Sequence, residues 1–340
     1  MDIGRFIVVG ENIHCTRIFK VGGKSVRTHA DGVSEIVFSA NGERRSLLVP
    51  PVFTEGADWQ NGRVKHCAVA IWQGCYGSPA DQAAGVDYLQ ALAKAQEARG
   101  AAYLDINVDE FSSDTEERVR LMQWTVAVVQ NAVSIPVSVD SSSQPILKAG
   151  LEACDPERGK PMVNSVSLER TDALDLAARC KAVVIASAAG ESGLPANTEE
   201  RLANLDRLMP MLTDAGLEPA DIHVDPLVFP ISVDAANGRG FLDAVKAVRE
   251  KYGPDIHIVA GLSNVSFGMP NRKLINQVFS WLAVETGADG GIVDPAQINL
   301  ETLRGLDTAS EGFQLAKALL LGEDEYGMTF IAASRDGTLG

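Results

Sequence analysis

Short apolar runs alternate with longer amphipathic stretches along most of this chain. Each run is apolar on successive residues and rich in Val and Ile, which is typical of parallel strands buried on both faces. Eight such strand–helix units within 340 residues predict a (β/α)8 TIM barrel. A doubly wound open sheet is the alternative, because periodicity does not show whether a sheet closes. No G-x-G-x-x-G pattern follows the first strand, which disfavours a dinucleotide-binding fold.

The pattern also gives the positions of the elements and the domains. Strands are predicted at residues 6–9, 102–107, 135–139, 161–166, 182–187, 222–224, 256–262 and 291–293. Helices are predicted at residues 79–99, 115–131, 144–153, 172–180, 198–215, 240–252, 273–286 and 300–321. The barrel domain is assigned to residues 1–322. Residues 323–340 begin with acidic side chains and are interpreted as a peripheral C-terminal extension.

Residues 15–80 interrupt the alternation between the first strand and the first helix. This insertion carries eight Lys and Arg against five Asp and Glu, whereas the whole chain has a net charge of −15. Polar and apolar residues alternate on both sides of Asn41-Gly42, a dipeptide typical of hairpin turns. The sequence therefore predicts a small β-rich cap, on the loop side where barrels place their active sites.

Composition narrows the class of protein. A hydrophobic fraction of 46% and a charged fraction of 22% are ordinary for a globular protein. No apolar run is long enough to span a membrane, and the net charge of −15 argues against binding to nucleic acid. The five cysteines have irregular spacing, and the N-terminal residues do not resemble a signal peptide, so a reduced, cytoplasmic protein is expected. His14-Cys15, His66-Cys67 and Cys75 match no known zinc-ligand spacing, so no metal site is predicted.

Polar side chains stand at the carboxyl ends of most predicted strands. They are Glu11, Asp105, Asn107, Asp140, Asn164, Asp225, Asn264 and Asp294. In a barrel these ends converge on one pocket, although each residue alone is also a common turn former or helix cap. Asp294, before Pro295, is interpreted in that second way. Several carboxylates and carboxamides without a cation suit a flat heterocycle with a ring N–H beside an exocyclic amine, such as a pterin or guanine.

A longer motif makes this hypothesis specific. The run Gly261-Leu262-Ser263-Asn264-Val265-Ser266, followed by Asn271-Arg272, resembles the signature of the methyltetrahydrofolate:corrinoid methyltransferases of the pterin-binding TIM-barrel superfamily. Further matches follow in the family's order over residues 1–14 and about 80–300. They are Val9-Gly10-Glu11, Leu104-Asp105-Ile106-Asn107-Val108, Val139-Asp140-Ser141, Val163-Asn164-Ser165 and Asp225-Pro226-Leu227.

The resemblance implies a reaction and a set of site residues. The enzyme would move a methyl group between N5 of tetrahydrofolate (methyltetrahydrofolate when loaded) and the cobalt of a corrinoid (cobalamin). The sequence contains no corrinoid-carrier domain, so the corrinoid is expected on a partner protein. Asp140, Asn164 and Asp225 would hold the pterin ring, and Asn264 would hydrogen-bond N5. The other pterin-binding candidates are Ser263, Asp105, Asn107, Glu11 and Arg272. A homodimer is expected from the same resemblance.

Several alternatives stay open at the level of sequence. The direction of transfer is not readable. A folate-binding or docking subunit without turnover would carry the same pocket. A dihydropteroate synthase is disfavoured, because Ser263-Asn264-Val265 stands where that family has a Gly-x-Ser-Arg-Lys pattern. The insertion could select the partner, attract the glutamate tail of folate, or form a solvated cap.

Overall fold

The computed structural model describes residues 3–339 and resolves them into alternating strands and helices. The strands are β1 (Ile7–His14), β2 (Ile18–Lys20), β3 (Val26–Thr28), β4 (Ser34–Ala40), β5 (Glu43–Leu48), β6 (Arg63–Lys65), β7 (Ala101–Asn107), β8 (Val137–Asp140), β9 (Met162–Val166), β10 (Val183–Ser187), β11 (Ile222–Asp225), β12 (His257–Ala260) and β13 (Gly290–Val293). The α-helices are α1 (Pro51–Thr54), α2 (Ala57–Gln60), α3 (His66–Tyr76), α4 (Pro79–Glu97), α5 (Thr115–Gln130), α6 (Gln144–Glu152), α7 (Ala173–Arg179), α8 (Thr198–Asp214), α9 (Asn237–Tyr252), α10 (Arg272–Thr286), α11 (Leu300–Arg304), α12 (Glu311–Leu320) and α13 (Met328–Arg335).

Eight parallel strands close into a barrel. Their order is β1-β13-β12-β11-β10-β9-β8-β7, so strands that follow one another along the chain are neighbours in the barrel. Every residue of β10 is buried, as expected for a strand covered on both faces. The prediction of a (β/α)8 barrel is confirmed, and the open-sheet alternative is wrong.

The contact between β1 and β13 shows how closely the strands approach. Ile7 pairs with Gly290, and Val9 pairs with Ile292. A Cβ at position 290 would lie 2.0 Å from the carbonyl oxygen of Ile7. Position 290 therefore requires glycine, at the contact between the first and the last strand of the barrel.

The chain packs as two compact units. The first unit holds the chain up to Gly10, Arg99–Ala102 and everything from Met162 onward. The second unit holds Glu11–Ala98 and Tyr103–Pro161. The insertion lies entirely in the second unit, and the long run from β9 to α13 lies in the first.

The insertion contains the predicted hairpin and also helices that the pattern did not predict. β4 and β5 pair antiparallel, joined by Asn41 (φ 53°) and Gly42 (φ 80°) in the left-handed conformation that this turn needs. β3 adds a third strand, and β2 pairs with β6. The β-rich prediction is confirmed, but the second half of the insertion is helical, since α1, α2 and α3 follow.

Helix α3 packs tightly on α4. A Cβ at Gly85 of α4 would lie 2.5 Å from the carbonyl oxygen of Ala70 and 2.7 Å from the backbone nitrogen of Gly74. Residues 67–71 of α3 are buried. This contact anchors the end of the insertion on the first barrel helix.

The prediction of one continuous helix at residues 300–321 is wrong. Residues 300–321 form two helices, α11 and α12, rather than one. The helix stops because Asp307 Oδ1 accepts a hydrogen bond from the Ala309 backbone (3.0 Å), and Ser310 then caps α12 by accepting from the Phe313 backbone (3.3 Å). Short polar side chains that bond their own backbone compete with the helix in this way.

The residues after α12 are folded. Asp324 accepts hydrogen bonds from the backbone nitrogens of Thr329 and Phe330 at the start of α13, and the Phe330 side chain is fully buried. The boundary predicted at residue 322 stays a prediction. No helix within residues 3–339 combines the length and the apolar character needed to cross a membrane.

Candidate functional site

Asn264 lies on a short turn that directly follows β12. The turn is a 3-10 helix, Leu262–Ser266, in which Leu262 and Val265 are buried while Asn264 is exposed. A Cβ at Gly261 would lie 3.0 Å from Asn264 Nδ2, so glycine leaves room for the amide. Among residues 3–339 the side chain of Asn264 has no hydrogen-bond partner. An amide on a fixed turn is therefore open to a ligand.

Arg272, the first residue of α10, fixes this turn. Its Nη2 donates to the carbonyl oxygen of Ser263 at 3.0 Å, and its Nε donates to the hydroxyl of Ser266 at 3.0 Å. Its guanidinium also lies 4.5 Å from the centre of the Phe267 ring. Ser263, Asn264 and Arg272 are thus brought together, with Arg272 supporting the turn that carries the amide.

Asp225 ends β11 with one carboxylate oxygen already occupied. Its Oδ1 accepts a hydrogen bond from the Leu227 backbone at 2.7 Å. Burial raises the pKa of Asp225 to about 6, against the opposing effects of backbone hydrogen bonds from Leu227 and Gly261 and of the charge of Arg201. The side chain therefore offers a carboxylate near neutral pH.

Arg201 of α8 is a supporting residue that the sequence reasoning missed. It is almost fully buried and donates from Nε to the carbonyl oxygen of Pro226 at 2.7 Å. Its Nη2 donates to the carbonyl oxygen of Leu227 at 3.4 Å. The guanidinium holds the loop after Asp225. No local signal identifies it, because an Arg within a helix is usually solvated.

Asn164 lies within β9 rather than after it. It pairs with Ile185 of β10, is partly buried, and is joined to Ser165 by a cis peptide bond. The hydroxyl of Ser165 accepts from Arg170 Nη2 at 2.6 Å. Asn164 is thus held inside the sheet, two residues before the strand ends.

In the second unit, Asn107 and Asp140 end the neighbouring strands β7 and β8. Asn107 Nδ2 donates to Asp140 Oδ2 at 2.9 Å, and Asn107 Oδ1 accepts from the Asp109 backbone at 2.9 Å. Burial, followed by the charge of Asp105, raises the pKa of Asp140 to about 7. Asp140 is therefore only partly ionised at neutral pH without a ligand.

Asp105 is fully buried beneath this pair. Its Oδ1 accepts from the hydroxyl of Ser138 at 2.5 Å, and its Oδ2 accepts from His14 Nε2 at 2.7 Å. His14 is the last residue of β1, which continues past the predicted strand end and past the predicted site residue Glu11. Asp105 thus accepts hydrogen bonds from both His14 and Ser138. His14 belongs to this cluster, although the sequence did not predict it as a site residue.

Glu11 faces a cation from the start of the insertion. Arg17 Nη2 lies 2.6 Å from Glu11 Oε1, and Arg17 Nε donates to the carbonyl oxygen of Glu11 at 3.0 Å. Glu11 is nearly buried, whereas about a third of the Arg17 side chain is exposed. The insertion therefore begins by pairing with a predicted site residue.

The structure brings the predicted residues together in two groups, each at strand ends of its own unit. Ser263, Asn264 and Arg272 share one turn, and Asp225 accepts from Gly261 at its base. Asp105, Asn107 and Asp140 form the group of the second unit. Asp294 acts as a turn residue, as predicted, because its Oδ1 accepts from the Ala296 backbone at 2.9 Å.

The second group also bears on the question of metals. Among the described residues, His14, Asp105 and Asp140 each offer a ligand atom within 4.8 Å of the others. Hydrogen bonds from His14 and Ser138 already occupy both oxygens of Asp105, and Asn107 occupies one oxygen of Asp140. The cluster is therefore assigned as a hydrogen-bonded network. His66 belongs to one of the His–Cys pairs whose spacing does not match a zinc site. Its Nδ1 forms a hydrogen bond with the hydroxyl of Tyr88 at 2.9 Å.

Comparison with known proteins decides the family. A family model described as pterin binding enzyme matches residues 80–294. The chain belongs to the pterin binding enzymes. Within them it belongs to the corrinoid–folate methyltransferases, as its Gly261–Ser266 run predicted.

Two relatives of this pterin binding enzyme are informative. It is 33% identical over 264 residues to a methylcorrinoid:tetrahydrofolate methyltransferase of Eubacterium limosum, covering 74% of this chain and 89% of that protein. It is 31% identical over 228 residues to the methionine synthase of Mycobacterium leprae (strain TN), covering 62% of this chain but 18% of that longer protein.

Solved structures confirm the fold. The dihydropteroate synthase from Xanthomonas albilineans in complex with 7,8-dihydropteroate superposes with a TM-score of 0.52 at 17% identity, covering 89% of this chain and 93% of that one. The dihydropteroate synthase from Stenotrophomonas maltophilia with active site-bound imidazole gives 0.51 at 19% identity, covering 66% and 87%. Such low identity supports the shared barrel and no shared reaction.

Proposed function

We propose that this protein is a methyltransferase that moves a methyl group between N5 of tetrahydrofolate and the cobalt of a corrinoid held by a partner protein. The observation that carries the proposal is the exposed amide of Asn264, which has no hydrogen-bond partner among residues 3–339. Arg272 holds the turn that carries this amide, and Gly261 leaves room beside it. The sequence relationship to a methylcorrinoid:tetrahydrofolate methyltransferase supports the same reaction class.

The amide suits chemistry at a nitrogen whose protonation changes. Before transfer, N5 is a secondary amine with an N–H and the lone pair that attacks the methyl group. Afterwards it is a tertiary amine with a lone pair and no N–H. Asn264 can present Oδ1 to the N–H or Nδ2 to the lone pair, so it stabilises both states without supplying the proton. Loading tetrahydrofolate forms the N5–C bond, breaks the Co–C bond with its electrons left on cobalt, and releases the N5 proton.

The pterin ring would be held by carboxylates and a carboxamide. The Asp225 carboxylate is fixed at the end of β11 by backbone hydrogen bonds from Leu227 and Gly261, and Asn164 lies within β9 of the same unit. We assign both to the pterin ring. Asp140 would accept from a ring N–H and its neighbouring amine, an arrangement that a carboxylate matches with two oxygens. Asn107, Asp105, Glu11, Ser263 and Arg272 are proposed to support these groups.

The proposal also covers the partner protein, the oligomeric state and the location of the protein. We place the protein in the cytoplasm as a homodimer that acts with a corrinoid protein and does not bind nucleic acid, in keeping with its net charge of −15. Pteroate synthesis is not proposed. The cation nearest to Asn264 in sequence, Arg272, is engaged by Ser263 and Ser266.

The test is an anaerobic absorbance time course with methylcobalamin and tetrahydrofolate. Loss of the methylcobalamin spectrum should require both the protein and tetrahydrofolate. The same mixture with the methylated corrinoid protein of a related system should react faster. If both traces stay flat while tetrahydrofolate binds, the chain is a folate-binding subunit. If tetrahydrofolate does not bind, the proposed function is wrong.

A further inference from the structure

His14 stands between two carboxyl groups at the end of β1. Its Nε2 lies 2.7 Å from Asp105 Oδ2 and 4.0 Å from Asp140 Oδ2. Asp105 cannot turn away, because it is fully buried and its other oxygen accepts from Ser138 at 2.5 Å. The imidazole N–H is therefore held toward Asp105, with Asp140 beside it.

The charged groups around this cluster come from three strands and the segments that follow them. β7 supplies Asp105, with Asp109 in the loop beyond it, and β8 supplies Asp140. β1 supplies His14, and Arg17 follows β1. Three carboxyl groups thus surround one imidazole, while the guanidinium of Arg17 is paired with a fourth, that of Glu11, at 2.6 Å.

The proton affinities follow from this arrangement. Burial lowers the pKa of His14, but the hydrogen bond and negative charge of Asp105 outweigh it, so the pKa of His14 is raised above its ordinary value. Burial and the charge of Asp105 raise the pKa of Asp140, whereas the charge of His14 and the hydrogen bond from Asn107 pull it down. His14 is the cation that favours an ionised Asp140.

We propose that His14 is a positioning residue for Asp140: as an imidazolium held by Asp105, it raises the ionised fraction of Asp140, so that the carboxylate accepts the paired N–H groups of a pterin at neutral pH. The inference rests on the proposed function. A protonated Asp140 would present a hydroxyl donor where the ligand needs two acceptors. Pterin affinity should therefore fall on the acid side as Asp140 gains its proton.

The experiment compares pH profiles of three proteins. Tetrahydrofolate binding, and kcat/KM for tetrahydrofolate with methylcobalamin, are measured for the wild type, His14→Asn and His29→Asn. Asparagine at 14 removes the cation while keeping a polar side chain. His29 is the matched control: it is an exposed residue of the insertion, 3.3 Å from Glu35.

The acid limb of the pH profile is the part in which kcat/KM falls as the pH decreases. We expect this limb to be displaced in His14→Asn alone. The limb should move up by at least about one pH unit, which is about a tenfold loss of kcat/KM on the acid side. At high pH, kcat/KM should return close to the wild-type value, because Asp140 is then ionised without help. His29→Asn should follow the wild type. Superimposable profiles for His14→Asn and the wild type would overturn the proposal.

A double-mutant comparison assigns the limb to Asp140. Asp140→Asn cannot ionise, so it should remove the pH dependence near pH 7 and leave that of Asp225 near pH 6. Adding His14→Asn to that variant should cause no further shift. A further shift in the double variant would place the effect of His14 elsewhere and contradict the proposal.

Nitrogen NMR of the wild type keeps the inference testable if His14→Asn does not fold. The resonances of ¹⁵N-labelled histidines should show His14 protonated at neutral pH, because the hydrogen bond and charge of Asp105 raise its pKa. A neutral His14 at that pH would overturn the proposal. So would a stoichiometric metal ion in the purified protein whose removal displaces the acid limb.

The role of His14 and the proposed function are contradicted by different results. A wild type that binds no tetrahydrofolate at any pH contradicts the proposed function and this inference with it. A wild type that binds and reacts, with profiles insensitive to His14, contradicts the inference alone.

Discussion

At the scale of single residues, burial sets the state of the groups that would meet the ligand. Asp140 has a pKa raised to about 7 and Asp225 one raised to about 6, in both cases first because of burial. Asn264 instead owes its availability to exposure and to the lack of a partner within residues 3–339. The residue types at these positions were readable from the sequence, whereas their proton affinities depend on neighbours distant in the chain.

The raised pKa of Asp140 predicts a pH-dependent cost to stability. The folded protein holds this proton up to about pH 7, whereas the unfolded chain loses it near its ordinary value of about 4, so stability falls as the pH rises through that window. Asp140→Asn removes this cost. We expect the variant to gain about 1–2 kcal/mol at about pH 8 and much less at about pH 5.

Chemical denaturation at the two pH values measures this gain. The control is Asp243→Asn on the exposed surface of α9, which should change stability little at either pH. An Asp140→Asn variant that is destabilised equally at both pH values would show that the carboxyl group contributes through its hydrogen bond with Asn107 alone.

Asn264 should affect turnover more than affinity. In Asn264→Ala the pterin contacts from other residues remain, but N5 loses its hydrogen-bond partner when its charge changes. We expect kcat for methyl transfer to fall by about 10²-fold, the size typical of losing one such group, with KM for tetrahydrofolate nearly unchanged. Steady-state kinetics test this, with the exposed Asn131→Ala as control. Wild-type turnover in Asn264→Ala would remove Asn264 from the mechanism.

At the scale of elements, close backbone approaches decide where glycine is required. The contact between α3 and α4 leaves no room for a Cβ at Gly85, because the Ala70 carbonyl oxygen would lie 2.5 Å away. Helix α3 itself was not predicted, since a short buried run can be read as either strand or helix. Its packing partner α4, by contrast, was predicted almost to its ends.

Two glycine-to-alanine substitutions separate packing from helix propensity. Gly85→Ala forces α3 away from α4 and should destabilise the protein by about 1–3 kcal/mol. Gly240 lies inside α9, and a Cβ added there would have no other atom within 4 Å. Gly240→Ala should therefore stabilise the protein by about 0.5–1 kcal/mol. Thermal and urea unfolding of both variants measure the difference. Equal effects would mean that α3 can shift at no cost.

At the scale of the whole molecule, the barrel brings residues far apart in sequence to the same strand ends. His14 and Asp105 are separated by 91 positions and yet form a 2.7 Å hydrogen bond. Arg201 reaches the loop after β11 across 25 positions. Ligand binding to such groups stabilises the folded state as a whole, because the unfolded chain has no site.

Tetrahydrofolate should therefore protect the entire fold. At a free concentration of about 100 times its Kd, it should raise the free energy of unfolding by about 2.7 kcal/mol. p-Aminobenzoyl-glutamate, which lacks the pterin, should give a much smaller effect at equal concentration. Differential scanning calorimetry makes the comparison. Equal protection by the two compounds would place recognition on the glutamate tail and away from the predicted pterin contacts.

The eight strand–helix units, the β4–β5 hairpin and the place of Asn264 just after a strand were predictable from the chain alone. These follow from local periodicity and from residues with a fixed conformational preference, such as Asn41-Gly42. The folded molecule was needed to show that His14 joins Asp105 and Asp140 and that Arg17 pairs with Glu11. It also showed that residues 300–321 break into two helices. The first two outcomes depend on which side chains the closed barrel and the folded insertion bring within hydrogen-bond distance, and no short stretch of sequence contains that information.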